Sequence, residues 1–165
     1  MEFENGMYTI VYRYNNDDNV VELPVKVNYP DARIPTYATE GSAGLDLYAV
    51  EDVVLHSNTP TLVKTGISIA VPKGYEAQVR PRSGLALKGI MVVNSPGTID
   101  SDYRGEIGVI LMLINGANAL GFYEIKKGDR IAQLVINKIP KVAIIYTECL
   151  TETERGIGGF GSTGN

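Results

Sequence analysis

The chain has 165 residues, 44% of them hydrophobic and 21% charged, with a net charge of -4 and a sequence pI near 5.0. Those values describe one ordinary folded domain, since a chain of about 150 residues hides roughly 70% of its unfolded surface, and they exclude intrinsic disorder. The longest apolar stretch, Ile107 to Ile114, is interrupted by Gly108 and falls far short of the roughly 18 residues of a bilayer span.

The start, Met1-Glu2-Phe3-Glu4-Asn5, is acidic and lacks the basic n-region of a secretory signal, so a cytoplasmic protein is the expectation. One Cys (Cys149) and one His (His56) are too few for a disulfide or a zinc site, and no third group is evident to orient a Cys-His nucleophile. The acidic balance disfavours nucleic-acid polymers, which need a basic face, while a small anionic ligand stays open. Val, Ile and Thr make 43 of the 165 residues, and these β-branched side chains favour strands. The 18 Gly and 8 Pro are scattered, as turns between short strands would require.

In chain order, Met7 to Tyr14 and Val20 to Val27, joined by Asn15-Asn16-Asp17-Asp18-Asn19, are expected to form an N-terminal hairpin. Gly66 to Val71 and Tyr75 to Arg80 alternate apolar with polar residues and are joined by the turn Pro72-Lys73-Gly74. Leu85-Ala86-Leu87-Lys88 predicts one helical turn stopped by Gly89. Ile107 to Ile114 and Ile131 to Ile136 are near-continuous apolar runs, which reads as strands buried on both faces, and Ile139 to Cys149 is a further strand candidate. The fold class expected is all-β, a jelly roll or distorted barrel with one short helix: residues 1–23 an extension, 24–150 the barrel, 151–165 a Gly-rich tail.

Five segments combine Gly with charged or hydroxyl residues beyond the needs of packing: Ala43 to Tyr48, Pro81 to Ala86, Asn94 to Gly105, Gly128 to Leu134 and Arg155 to Gly164. Singly, each is ambiguous. Arg82-Ser83-Gly84 reads either as a capped turn or as an anion cradle, where a hydroxyl, free amides and an Arg converge on phosphate oxygens. Asp100 and Asp102 read either as a solvated turn or as working carboxylates. The tail, with Gly at 156, 158, 159, 161 and 164, reads as disordered unless something binds it.

Together and in this order, the five segments resemble the five motifs of the homotrimeric dUTPase family over about residues 43–164. The resemblance implies a jelly-roll subunit, a homotrimer with sites at subunit junctions, and Mg2+-dependent hydrolysis of dUTP to dUMP and pyrophosphate. Asp100 matches the family's catalytic carboxylate, which orients a water for attack on the α-phosphate. Tyr103 matches the ring that stacks beneath deoxyribose and leaves no room for a 2'-hydroxyl. Uracil is expected to be read by the main chain of Gly97, Thr98, Ile99 and Gly108, with Asn94 holding a water. Arg82, Ser83 and Gly84 match the phosphate motif, with Gln133 nearby. Mg2+ is expected to ride on the phosphates, with no direct protein ligand and Asp46 holding a coordinated water at most. Arg155 matches the residue that contacts the γ-phosphate and Phe160 the ring that covers uracil, with Gly161, Ser162 and Thr163 supplying amides and hydroxyls from a closing lid.

Ile157, where the family has a small polar residue, and the stiff Pro96 depart from the pattern and leave the lid's path open. The long N-terminus reads as a lineage-specific addition, pointing to an origin in a large DNA virus. The related dCTP deaminases look to need a Glu ten residues after Asp100, where this chain has Ile110. A silent nucleotide-binding trimer is disfavoured by the intact Asp100, Tyr103, Arg155 and Phe160.

Overall fold

A computed structural model describes residues 2–4, 7–9, 20–117 and 119–159. Thirteen strands and one helical turn follow one another: β1 (Glu2–Glu4), β2 (Met7–Thr9), β3 (Val25–Val27), β4 (Thr36–Tyr37), β5 (Leu45–Tyr48), β6 (Val53–His56), β7 (Thr61–Ile69), β8 (Tyr75–Arg80), α1 (Ser83–Ala86), β9 (Ile90–Val92), β10 (Gly97–Ile99), β11 (Glu106–Leu113), β12 (Phe122–Ile125) and β13 (Arg130–Lys138). A five-stranded sheet in the order β10-β8-β13-β5-β4 faces a four-stranded sheet in the order β3-β7-β11-β9, with β12-β6 and β1-β2 as two-stranded ribbons. All the strand pairings are antiparallel.

Apolar side chains on the inner faces of the two sheets build the core. On β11, Ile107, Val109, Leu111 and Leu113 point inward with at most 1% exposure, against Val63, Ile67 and Ile69 of β7. From the other sheet, Leu47, Ala77, Val79, Ile131 and Leu134 close the same apolar cluster. Burial of side chains this size contributes about 1.5–3 kcal/mol each, which is what commits each strand to one face. The expected all-β architecture with a single short helix is the one observed. No helix among the described residues is long and apolar enough to cross a membrane.

Three expectations need correction. Met7–Thr9 pairs with Glu2–Glu4, and Val25–Val27 pairs with β7 instead of folding back on the N-terminal segment; residues 10–19 lie outside the described residues. Position 1–9 supplied a closer partner than the sequence periodicity revealed, because pairing depends on loop closure as well as on strand propensity. Residues 139–149 form no strand. They have strand-like composition, yet Val142, Ile144, Ile145 and Tyr146 are 79–94% exposed, since the segment leaves the end of β13 without an edge to pair with. Finally, β11 is buried on one face only: Glu106, Gly108, Ile110 and Met112 lie half-exposed on the other.

Candidate functional site

The sequence motifs fall into two groups at opposite ends of β8. At its C-terminal end, Asp46 of β5 is only 7% exposed and carries two arginines. Arg82 Nε lies 3.2 Å from Asp46 Oδ1, and Arg130 Nη1 lies 3.2 Å from Oδ2. Arg82 Nη1 also donates to the Arg130 carbonyl at 2.9 Å, so the two guanidiniums are held side by side although two like charges would repel. Gln133, directly across β13 from Asp46, donates to the Pro81 carbonyl at 2.9 Å and braces the chain entering α1. Gly44 makes room for it: a Cβ there would sit 2.6 Å from Gln133 Oε1.

Arg82 is itself the residue preceding the helical turn, and it makes no side-chain cap. The reading of Ser83 as the cap is thus corrected. Ser83 and Gly84 are exposed in the first turn, where amides have no acceptor within the helix. The group as a whole is a cationic shelf: two arginines over one carboxylate, beside an exposed hydroxyl and free amides.

The second group surrounds a cavity of about 190 Å³ lined by Thr98, Ile99, Asp100, Tyr103, Glu106, Ile107 and Gly108. It lies between β10, the turn that follows it, and the start of β11. Its size suits one ring system and not a whole nucleotide, because pockets for drug-sized ligands run to about 300–1,000 Å³. Asp100 sits exposed at the end of β10, its carbonyl accepting the Tyr103 amide at 3.1 Å. The Tyr103 hydroxyl donates to the Glu106 carbonyl at 3.2 Å, and Arg104 Nη1 bonds the Ser101 and Tyr103 carbonyls at 2.8 and 2.7 Å. Gly105 is required for this closure, because a Cβ there would run into the Tyr103 hydroxyl. The Asn94 amide lies against Gly97, 3.1 Å from where a Cβ would stand.

The two groups do not meet in one chain. Ile99 pairs with Ala77, which sets Asp100 level with Glu76; Arg82 lies six residues further on, two past the end of β8. At about 3.3 Å per residue, Asp100 and Arg82 are roughly 20 Å apart. Arg155 belongs to neither group: its Nε donates to the Gly158 carbonyl at 2.9 Å within the exposed tail. Phe160, Gly161, Ser162 and Thr163 lie outside the described residues.

Among the described residues no three His, Cys, Asp or Glu side chains gather into a metal cage. Both Asp46 oxygens are already engaged by arginine, Oδ2 accepting a hydrogen bond from Arg130 and Oδ1 ion-paired with Arg82, which leaves that carboxylate at most an outer role toward a cation.

Arg130 and Glu106 were missed at the level of sequence. Each has its partner far along the chain, Asp46 being 84 positions from Arg130 and Gly66 40 from Glu106, and no local pattern reports such pairings.

Comparison with known proteins bears on the whole arrangement. A family model described as dUTPase matches residues 30–164. The deoxyuridine 5'-triphosphate nucleotidohydrolase of Hydrogenobaculum sp. (strain Y04AAS1) is 53% identical over 146 residues, covering 87% of this chain and 99% of that one. The protein of the same name from Helicobacter pylori (strain J99) is 50% identical over 145 residues, covering 87% and 97%. Among solved structures, a mutant dUTPase of Staphylococcus bacteriophage 80alpha with dUpNHpp superposes with a TM-score of 0.81 at 30% identity, covering 87% of this chain and 99% of that one. A mutant dUTPase from phage phi11 of S. aureus, described with a structural Mg(II) ion, does so at 0.70 and 26%, covering 78% and 97%. The large-DNA-virus origin expected from the N-terminus finds no support here, where the curated relatives are bacterial. With its barrel and its ordered motifs matched over most of its length, the chain belongs to the dUTPase family.

Proposed function

We propose that this chain hydrolyses dUTP to dUMP and pyrophosphate in the cytoplasm, with Mg2+ arriving on the triphosphate as part of the substrate. Such an activity limits uracil incorporation into DNA and supplies dUMP for dTTP synthesis. One observation carries the reading: a cationic shelf and a ring-sized cavity with a carboxylate at its rim, built from the motifs of one family but roughly 20 Å apart.

A nucleoside triphosphate needs both, so the working site takes its shelf from one chain and its cavity from another. A homotrimer satisfies this by rotation, each junction receiving the same pair of surfaces. The outward face of the four-stranded sheet supports such packing: Leu62, Met91 and Val93 are exposed beside the half-exposed Ile110 and Met112. So does the exposed apolar arm, residues 139–150. Residues 1–23 are then an extension outside this machinery, 24–150 the barrel, and 151–165 the lid.

In the assembled site uracil enters the cavity and pairs with the main chain of Gly97, Thr98, Ile99 and Gly108, with Asn94 holding a water. Fixed donors and acceptors match uracil and oppose cytosine, a rejection that hydrogen-bonding sites make strongly. Tyr103 lies beneath the sugar and excludes a 2'-hydroxyl by bulk. Asp100 accepts the proton of a water as its oxygen attacks the α-phosphorus; the bond from that phosphorus to the oxygen bridging to the β-phosphate breaks, and pyrophosphate leaves. Arg82, Ser83, Gly84 and Gln133 hold the phosphates, joined by Arg155 of the tail, while Phe160, Gly161, Ser162 and Thr163 close over the base. The bound cation offsets phosphate charge, with Asp46 touching it through water at most.

The test is pyrophosphate release from dUTP with Mg2+, beside dCTP, dTTP and UTP, in the wild type and in Asp100→Asn. Turnover confined to dUTP and lowered at least 100-fold by Asp100→Asn is expected. Absence of dUTP turnover in the wild type overturns the reading, and turnover indifferent to Asp100→Asn overturns the role of that carboxylate. Deleting residues 155–165 is expected to leave the fold intact while removing most of kcat.

A further inference from the structure

We infer that Glu106 and Thr65 are positioning residues that set the selectivity of the cavity for its base through the main chain they hold. The inference rests on the reading above that the main chain of β10 and β11 recognises uracil.

The argument starts from a register break. Glu106 pairs with Ser68, but Gly108 pairs with Lys64, so Ile107 alone on β11 stands opposite Thr65, Gly66 and Ile67 on β7. The surplus on β7 interrupts the ladder at the residues that line the cavity from behind. Main-chain groups there have lost their cross-strand partners, and in a buried strand an unpaired group costs about 1–3 kcal/mol.

Two side chains replace the missing bonds. The Gly66 amide, in a glycine with φ of 74°, donates to Glu106 Oε1 at 2.8 Å. The Thr65 hydroxyl, 2% exposed, donates to the Ile107 carbonyl at 2.6 Å. The Gly66 carbonyl takes the Asn28 amide at 2.8 Å, and the Tyr29 hydroxyl reaches Glu106 Oε2 at 3.4 Å. Gly66 also accepts the close approach of Ala32, which lies 2.5 Å from the place of a Cβ. The stretch 106–108 is therefore splinted to β7 and to the 28–32 loop behind it.

The splint has a second output. Tyr103 donates its hydroxyl to the main-chain carbonyl of Glu106, the residue whose carboxylate anchors the bulge. The ring expected beneath the sugar and the backbone edge expected to read the base are thus fixed by one residue. Base discrimination by hydrogen bonds depends on donors and acceptors held within a few tenths of an ångström, so loosening this anchor lowers selectivity before it lowers chemistry.

The experiment compares kcat and KM for dUTP and dCTP in the wild type, Glu106→Ala, Glu106→Gln, Thr65→Val and Thr65→Ser, with thermal midpoints measured alongside. Glu106→Ala is expected to raise KM for dUTP and to lower the ratio of kcat/KM for dUTP over dCTP about tenfold. Glu106→Gln restores the ratio to within about twofold, because its amide oxygen still accepts the Gly66 proton. Thr65→Val lowers the ratio and Thr65→Ser restores it, which decides the matter even if Glu106→Ala fails to fold. A merely structural role would lower the thermal midpoint and leave the ratio unchanged. An unchanged ratio in Thr65→Val and in folded Glu106→Ala, with the wild type selective for dUTP, overturns the splint and spares the cavity reading. A wild type that turns over dCTP as readily as dUTP overturns the cavity reading itself and the inference with it.

Discussion

Asp46 shows how much one side chain can organise. A carboxylate this buried is stable only because both oxygens are paired, and its two partners tolerate each other's charge because it lies against both. Asp46→Ala leaves two neighbouring guanidiniums facing each other. The expected loss, intermediate between an exposed and a buried pair because Arg130 is half in solvent, is about 2 kcal/mol by chemical denaturation, together with a raised KM for dUTP. Arg82→Lys keeps the charge but not the fork that reaches Asp46 and the Arg130 carbonyl, and it is expected to cost more than tenfold in kcat/KM in steady-state assays. At this scale the motifs singled out Asp46, Arg82, Asp100 and Tyr103 as residues, but not the pairing of Asp46 with Arg82 and Arg130. Arg130 also sits inside one, yet its role became visible only with its partner, because a charge in a turn reads the same whether it is solvated or paired.

At the scale of elements, β8 could be read from alternation because it buries one face, and β13 from its apolar run. β4, β5, β9 and β10 span two to four residues, too few for a period to declare itself, and β5 and β10 carry motif residues. The arm at 139–149 fails for the opposite reason. Its composition is that of a strand, but strand formation needs a neighbour, and within one chain there is none. The turn between β12 and β13 offers a pH test. The Lys127 amide donates to Asp52 Oδ1 at 2.7 Å, and this bond outweighs the opposing effect of desolvation and, with the charge of Lys126 adding to it, holds the Asp52 carboxyl below its ordinary value of 3.8. A carboxyl depressed in the folded state stabilises above its ordinary value and loses that contribution as pH falls through the folded one. Thermal midpoints of the wild type and Asp52→Asn are therefore expected to differ slightly at pH 7 and to converge as pH falls through the lowered Asp52 value. A difference that persists unchanged in acid would remove Asp52 from the account.

For the whole molecule, the separation along β8 makes a sharp prediction. Chains carrying Asp100→Asn keep an intact shelf, and chains carrying Arg82→Ala keep an intact cavity. Each alone is expected to be inactive, whereas refolding them together in equal amounts restores activity. With random assembly, about a quarter of the junctions combine an intact shelf with an intact cavity. Zero recovery, measured as dUTP turnover of the mixture, would place both halves in one chain. This is also where sequence reading stopped short: the motifs named the residues, but only the pairing of Ile99 with Ala77 tells which of them a single chain keeps apart.

The pairing of Asp46 with Arg82 and Arg130 bears, finally, on how the enzyme lets go. Two cations and one carboxylate leave the shelf with a single surplus positive charge before any ligand arrives. Fully unpaired arginines would grip pyrophosphate as firmly as the triphosphate, and the cycle would stall on its own product. In the proposed site, partial neutralisation built into β5 and β13 loosens the shelf's own hold on the anion, so that once the lid opens the arginines do not retain the product.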